Sequence, residues 1–320
     1  MMPAYLVTKA IASGISMIMT AVWLLGLAHF DRRTALVGNG IALVFLAITT
    51  VLLVADLERP ECFLRILTRP QWKSWLTRGA FILIGFSLVC TLWFALELGA
   101  QLDWLPEGVA EAVRVPLMML GFPLALMTAI YTAFLFRQCE GGDLWQSRLL
   151  PWHMGVQAVM AGEVVWLLWL SFGSRLLEIE VVVLLPLSTL ALDMFLRSVE
   201  EKRHRSRPEG QHLAIVTQRN SAGWLWRRSR TLSRSALVLM AVLILGFIAH
   251  LQAIIPVARL GVSTPDGGVQ PEIVYRWKVE AALWSLYPWV PNLAASLALI
   301  GLFLYESAII KAGRQDVPNA

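Results

Sequence analysis

A glutamate stands at position 163 inside the apolar stretch VMAGEVVWLLW, and Asp193 lies one helical turn before Arg197 in another apolar run. A carboxyl group in such a setting either pairs with a neighbour or faces an internal watery path, where it can take up and pass on a proton. Other polar groups sit where apolar runs end or begin. His29 and Asp31 close the first run, Asn39 opens the second, and Asp56 closes it with Arg59 one turn on. Glu97 lies near the end of the third run, and Glu111 and Arg114 begin the fourth. Groups of this kind suit proton exchange and hydrogen bonding at the ends of apolar helices, imidazole above all. Patterns for nucleophilic or hydrolytic chemistry are missing: the chain has no G-x-S-x-G, HExxH or P-loop sequence.

The scaffold that must position these groups follows from composition. With 57% apolar residues, 15% charged residues and 14 tryptophans in 320 positions, the chain does not fit a water-soluble globule. A helix needs roughly 20 apolar residues to cross the hydrocarbon core. Eight such runs are closed by charge, proline or tryptophan, at about 5–28, 35–55, 76–98, 109–136, 152–172, 176–196, 235–257 and 284–310. The expected fold is an all-α integral membrane protein with eight transmembrane helices. They form one membrane domain over 1–320, with a basic loop at 197–234. Pro123 in the fourth run, and Pro288 and Pro291 in the eighth, are causes for a bend. The first run lacks a basic leader and is too long for a cleaved signal, so it is expected to stay.

Lys and Arg placement sets the expected orientation. One set of connections holds Lys9, Arg59, Arg65, Arg69, Lys73, Arg78, Arg137, Arg148, the basic residues of 197–234, Lys311 and Arg314. The other has only Arg32, Arg33, Arg114, Arg175, Arg259, Arg276 and Lys278. Both termini are therefore expected in the cytoplasm. A positive-inside surface beside anionic headgroups accounts for a net charge of +5 without nucleic acid. Cys62, Cys90 and Cys139 show no CxxC spacing, and an iron–sulfur cluster usually takes four thiolates, so this chain is not expected to carry one alone.

The connection ADLERPECFLRILTRPQWKSWLTRGAF is more specific than its composition. Pro60 and Pro70 interrupt any helix, Phe63, Leu64, Ile66 and Leu67 alternate with Glu61 and Arg65 as in an interfacial segment, and Trp72 and Trp75 anchor it. Asp56, Leu57, Arg59, Pro60, Arg69, Pro70, Ser74, Trp75, Arg78 and Gly79 resemble the signature between the second and third helices of the NrfD/polysulfide-reductase membrane-subunit family. YLVTKAIASG and YTAFLFRQCEGGDLWQSRLLPWH are also similar to segments of that family, so the resemblance covers about the first half of the chain.

This resemblance implies two packed helical bundles in a bacterial cytoplasmic (inner) membrane. It further implies a haem-free subunit of a respiratory complex that exchanges electrons between a quinone, menaquinone or ubiquinone, and an iron–sulfur subunit, often with a molybdopterin catalytic subunit beyond it. In relatives with a periplasmic arm the quinone pocket lies in the first bundle, near the face that docks the iron–sulfur partner. Gly26 stands where those relatives have an Asn one turn before the pocket histidine, and the outer half of the fourth helix has no Tyr.

A quinone site needs an apolar slot and one or two polar side chains for the carbonyl oxygens. His29, Asn39, Glu97 and Arg114 are the quinone-binding candidates, His29 foremost. Asp56, Arg59, Arg78, Glu163 and Asp193 are the proton-path candidates, with Thr128, Tyr131 and His153 beside them. No residue of this chain is expected to be catalytic in its own right or to bind a metal. Two other classes fit less well. A b-haem carrier needs paired axial histidines, and of His29, His153, His204, His212 and His250 only His29 and His250 share a level. A secondary transporter would use Glu163 with proline-broken helices, but two halves with matching interruptions are not seen. In 197–234, Trp224 and Trp226 are expected to hold an interfacial loop on anionic lipid. The Gly/Pro-rich RLGVSTPDGGVQPEIVYRWKVE is a candidate docking loop for an extrinsic partner.

Overall fold

The computed structural model of the chain describes residues 1–25, 32–56, 68–138, 143–172, 179–205, 221–259 and 290–315. Among the described residues there are eight α-helices: α1 Met2–Leu24, α2 Arg32–Ala55, α3 Trp75–Gln101, α4 Glu107–Gln138, α5 Leu150–Phe172, α6 Ile179–Arg205, α7 Ser221–Arg259 and α8 Val290–Gln315. A single 3-10 turn, Asp143–Gln146, precedes α5. Pro3 falls in the first turn of α1, where its missing N–H has no helical partner to lose. Pro116 and Pro123 lie inside α4 and Pro186 inside α6; surrounding helices and apolar packing let such prolines persist in a helix that water does not reach.

The helices fall on the eight apolar runs, and α6 and α7 extend furthest beyond them. Residues 197–205 continue α6 and 221–234 open α7, so the expected basic loop is helical at both ends. Charge is what hydropathy reads as a stop, yet here it is neutralised between the two extensions: Arg230 Nη1 lies 3.0 Å from Glu201 Oε2. Trp226 does not lie on lipid as expected. It is buried, 5.2 Å from the Tyr305 ring centroid, whereas Trp224 is exposed with Arg228 over its face.

Helices α1 to α4 pack in chain order into one four-helix ring that closes through α1 and α4. Helices α5 to α8 form a second ring that closes through α5 and α8. The rings meet where α1 packs against α5 and α8, and where α4 packs against α5. The closest approach is between α1 and α5. A Cβ added at Gly14 would land on the Ala158 carbonyl, and one at Gly162 on the Gly14 backbone, well inside contact distance. Ala158 and Gly162 are one turn apart, the small-xxx-small spacing that lets helix backbones touch.

The packing is inverted relative to a water-soluble fold. Val44, Ile48 and Val51 on α2, Ile84, Leu88 and Leu92 on α3, and Val238, Val242 and Leu245 on α7 are exposed at helical spacing, forming apolar stripes on the outer surface. Lys9, Glu97, His153, Glu163, Asp193, Arg197, Glu200 and Glu306 are buried. Water would penalise both features, while lipid outside and polar pairing inside accommodate both. Among the described residues, five helices, α1, α2, α3, α4 and α8, are long and apolar enough to cross a membrane.

Candidate functional site

Antiparallel succession brings the start of α5, the end of α6, the start of α7 and the end of α8 to one end of the second ring, the end that carries most of the basic residues. All four helices contribute to a buried polar cluster there. His153 of α5 is its hub: Nε2 lies 2.9 Å from Asp193 Oδ1 and Nδ1 lies 3.0 Å from Glu200 Oε2, both on α6. Tyr305 of α8 places its hydroxyl 3.1 Å from His153 Nδ1 and donates to Glu200 Oε2 at 3.4 Å. Arg197 pairs with Asp193 at 2.5 Å, donates to Ser229 of α7 at 2.9 Å, and lies 3.9 Å from the Tyr305 ring centroid. Because both imidazole nitrogens face carboxylates, the ring can donate from both positions only as imidazolium; otherwise a carboxyl must carry the proton. The geometry of the cluster thus lets a proton stand on the imidazole or on a carboxyl beside it.

The Asp193–Arg197 pair expected one turn apart is present and is buried within this cluster. Glu163 lies deeper along the same seam between α5 and α6. It accepts a hydrogen bond from the Thr189 hydroxyl, and Thr189 precedes Asp193 by one turn of α6. Glu163 and Asp193 thus belong to one polar column running from the middle of the second ring to its basic end.

At the opposite end of the first ring, Glu97 of α3 is fully buried and gripped by Arg114 of α4. Arg114 Nε donates to Oε1 at 2.6 Å and Nη2 to Oε2 at 2.9 Å, and Trp93 Nε1 donates to Oε1 at 3.1 Å. Two parallel donors match the two carboxylate oxygens, a fit that a lysine cannot reproduce. Arg114→Lys is expected to keep the charge but cost about 1–2 kcal/mol, read as a drop in thermal unfolding temperature in detergent. Asn39 of α2 is buried, and its amide nitrogen donates to the Ala35 carbonyl at 3.0 Å. Among the described residues its Oδ1 has no hydrogen-bond partner.

Asp56 and Arg78 lie at the basic rim of the first ring. Asp56 is 4.0 Å from the N-terminal amine. Arg78 is exposed, donates from Nε to the Trp72 carbonyl at 2.6 Å and stacks 4.9 Å from the Trp75 ring centroid. Neither touches the buried cluster. Gln138, at the end of α4, clasps the start of α3, accepting from the Trp75 N–H at 2.9 Å and donating to the Lys73 carbonyl at 3.0 Å. Gly79 is required here because a Cβ would strike the Tyr131 ring. The Tyr131 hydroxyl is in turn hydrogen-bonded to that of Tyr5. Thr128, one turn earlier on α4, is buried, and its hydroxyl has no partner among the described residues. His29, Asp31, Arg59 and the proposed docking loop at 260–280 lie outside the described residues, as do Cys62, Cys139 and His212.

Four ionisable residues of the buried network, Lys9, Glu200, Tyr305 and Glu306, lie beyond the candidates named from the sequence. Lys9, counted above as a topology charge, is buried in α1, donating to the Ala129 carbonyl at 3.1 Å and to Thr132. Glu306, in LFLYESAII, is a carboxylate inside an apolar run just as Glu163 is, and carries the same signal. Glu200 and Tyr305 complete the surroundings of His153.

Exposed apolar stripes, five helices able to span and a polar interior define a multi-pass helical membrane protein. Residues 1–196 match the family model of polysulphide reductase, NrfD, and the chain belongs to that family, the membrane subunits of polysulphide reductase and related reductase complexes. No curated protein matches the chain.

Proposed function

We propose that this protein is the haem-free, quinone-reactive anchor of a respiratory oxidoreductase complex. It forms one membrane domain of eight transmembrane helices with both termini in the cytoplasm of a bacterial cell, and exchanges electrons with an iron–sulfur subunit on the periplasmic side, a molybdopterin catalytic subunit standing beyond it. Family membership supports the complex. The observation that carries the quinone reading is the orphaned Oδ1 of Asn39, a buried acceptor in the first ring at the end opposite the basic one. A buried amide oxygen left without a donor is costly, and a quinol hydroxyl is a donor of the right kind.

A quinone supplies two-electron chemistry coupled to two protons. The chain's own part is binding and proton supply. Asn39 and His29 are assigned to hold the carbonyl or hydroxyl oxygens. The Glu97–Arg114 pair, internally neutralised, forms a polar wall that does not leave a bare charge beside the slot. Glu163 and Asp193 are assigned to conduct protons from the cytoplasm, with Asp56, Arg59 and Arg78 at the rim.

The test is to purify the chain with whatever accompanies it, record its visible spectrum and extract it for quinone, comparing the native protein with Asn39→Leu and His29→Ala. Expected are no haem band, bound quinone in the native protein and a loss of about tenfold or more in at least one variant. A dithionite-reduced haem band, or an intact complex without quinone, overturns the reading.

A further inference from the structure

Between the two rings, α1, α4, α5 and α8 leave a small, partly open space about large enough for a single water. Lys9, Gln157 and Glu306 line it together with apolar atoms of Leu6, Met154 and Leu302. Two facts separate it from an ordinary packing defect. Its polar lining brings a buried ammonium and a buried carboxylate to one space, and Oε2 of that carboxylate is buried with no hydrogen-bond partner among the described residues. Gln157 also reaches the neighbouring cluster, with its Nε2 3.4 Å from His153 Nε2.

An empty apolar cavity stays dry, but a cavity with three polar groups and an unsatisfied carboxylate oxygen has the partners a water needs. We propose that this pocket holds a water which donates to Glu306, oriented by Gln157 and Lys9, and that Glu306 is a proton-holding station supplied from His153. The step is a proton transfer alone. An N–H bond of the His153 imidazolium breaks as an O–H bond forms on the water, one of the water's O–H bonds breaks as an O–H bond forms at Glu306 Oε2, and the water and a neutral imidazole are left, the ring to be recharged from its Asp193 and Glu200 side. Lys9 keeps the loaded and unloaded states within one charge of neutrality. Around Glu306 the charged and titratable groups are Lys9 of α1, His153 of α5, Asp193 and Arg197 of α6, and Tyr305 of its own helix; Tyr131 of α4 flanks Lys9. This gives the His153 cluster a second branch, toward α1, besides the one along α6 to Thr189 and Glu163. On the quinone reading, on which its purpose rests, this branch serves the first ring. From Lys9, α1 runs about 15 Å to Met19, the residue that a Cβ at Gly38, beside Asn39, would strike.

The first measurement needs neither quinone nor partner: infrared spectra of the full chain in nanodiscs, followed after transfer from H2O to D2O over the pH range in which it stays folded. A protonated-carboxyl band that Glu306→Gln removes, or Glu306→Asp shifts, is expected to exchange, and Gln157→Leu is expected to slow that exchange about tenfold or more. The Glu163 band, identified with Glu163→Gln, is expected to exchange at its native rate in Gln157→Leu. Absence of a Glu306 band at every pH, or an unchanged rate in Gln157→Leu, overturns the pocket as a station while leaving the quinone reading untouched. In membranes containing the whole complex, Gln157→Leu is expected to slow proton uptake during quinone reduction without changing the amount of bound quinone. Uptake at the native rate would overturn the coupling to quinone.

Discussion

Gly162→Val is expected to abolish the stable fold, and Gly14→Val to do the same. Each glycine lies at the crossing of α1 and α5, where an added Cβ meets backbone rather than the movable end of a side chain. Backbone atoms in the middle of two helices cannot step aside singly, so a whole helix must shift, and α1 cannot shift without disturbing its contacts with α2, α4 and α8. Overpacking of ordinary cores costs about 1–3 kcal/mol and sometimes more. At a backbone-to-backbone contact the upper part of that range is expected even for Ala. The readout is the yield of monodisperse protein and its thermal unfolding in detergent. Gly108→Ala supplies the control: nothing lies within contact distance of a Cβ there, and the substitution is expected to change stability by no more than about 0.5 kcal/mol. Equal behaviour of Gly108→Ala and Gly162→Ala would mean that the α1–α5 contact does not determine how the two rings join.

The crossing also shows why some of this protein is readable in its sequence and some is not. Apolar runs of about 20 residues must become helices when the solvent is lipid, because no other local structure satisfies the backbone, so the eight helices fall where hydropathy places them. Their ends depend on something hydropathy does not register. Arg197 to Arg205 and the first turns of α7 stay helical because Arg197 finds Asp193 and Ser229 and Arg230 finds Glu201, and the Arg230–Glu201 partner lies on another helix. The same limit applies to the polar interior. Glu163 and Asp193 are visible as acids in apolar runs, and Glu306 carries that same signal. Lys9 reads as a topology charge because it lies within about two turns of a terminus. Trp226 reads as a membrane anchor because tryptophans near charges usually are, and its contact with Tyr305 joins α7 to α8 across a long stretch of chain. Which buried groups meet is a property of the rings, and His153 joins Asp193, Glu200 and Tyr305 only once α5, α6 and α8 have closed around it.

That joining makes Arg197→Met the second substitution with a large expected effect. Arg197 is the fixed cation of the cluster: a guanidinium does not lose its proton in a protein, whereas His153 can. With Arg197 gone, Asp193 and Glu200 share His153, the Tyr305 hydroxyl serves Glu200, and Asp193 keeps His153 as its remaining described partner. Removing one member of a buried pair costs about 3–5 kcal/mol because a charge is left behind without its counterion, so thermal unfolding in detergent is expected to fall sharply. The pairwise origin of the loss is checked by adding Asp193→Asn. The introduced amide can still accept from His153 through its oxygen but leaves no anion at position 193, so that His153 answers Glu200 alone, and the double variant is expected to recover about half or more of the loss. Additive behaviour would mean that Arg197 acts through its packing on the Tyr305 ring, since a long cationic side chain also stabilises through its stem and its planar face. The comparison thus separates the two things Arg197 does in the structure: it holds a charge in balance, and it fills the space between α6, α7 and α8 on which the geometry of His153 depends.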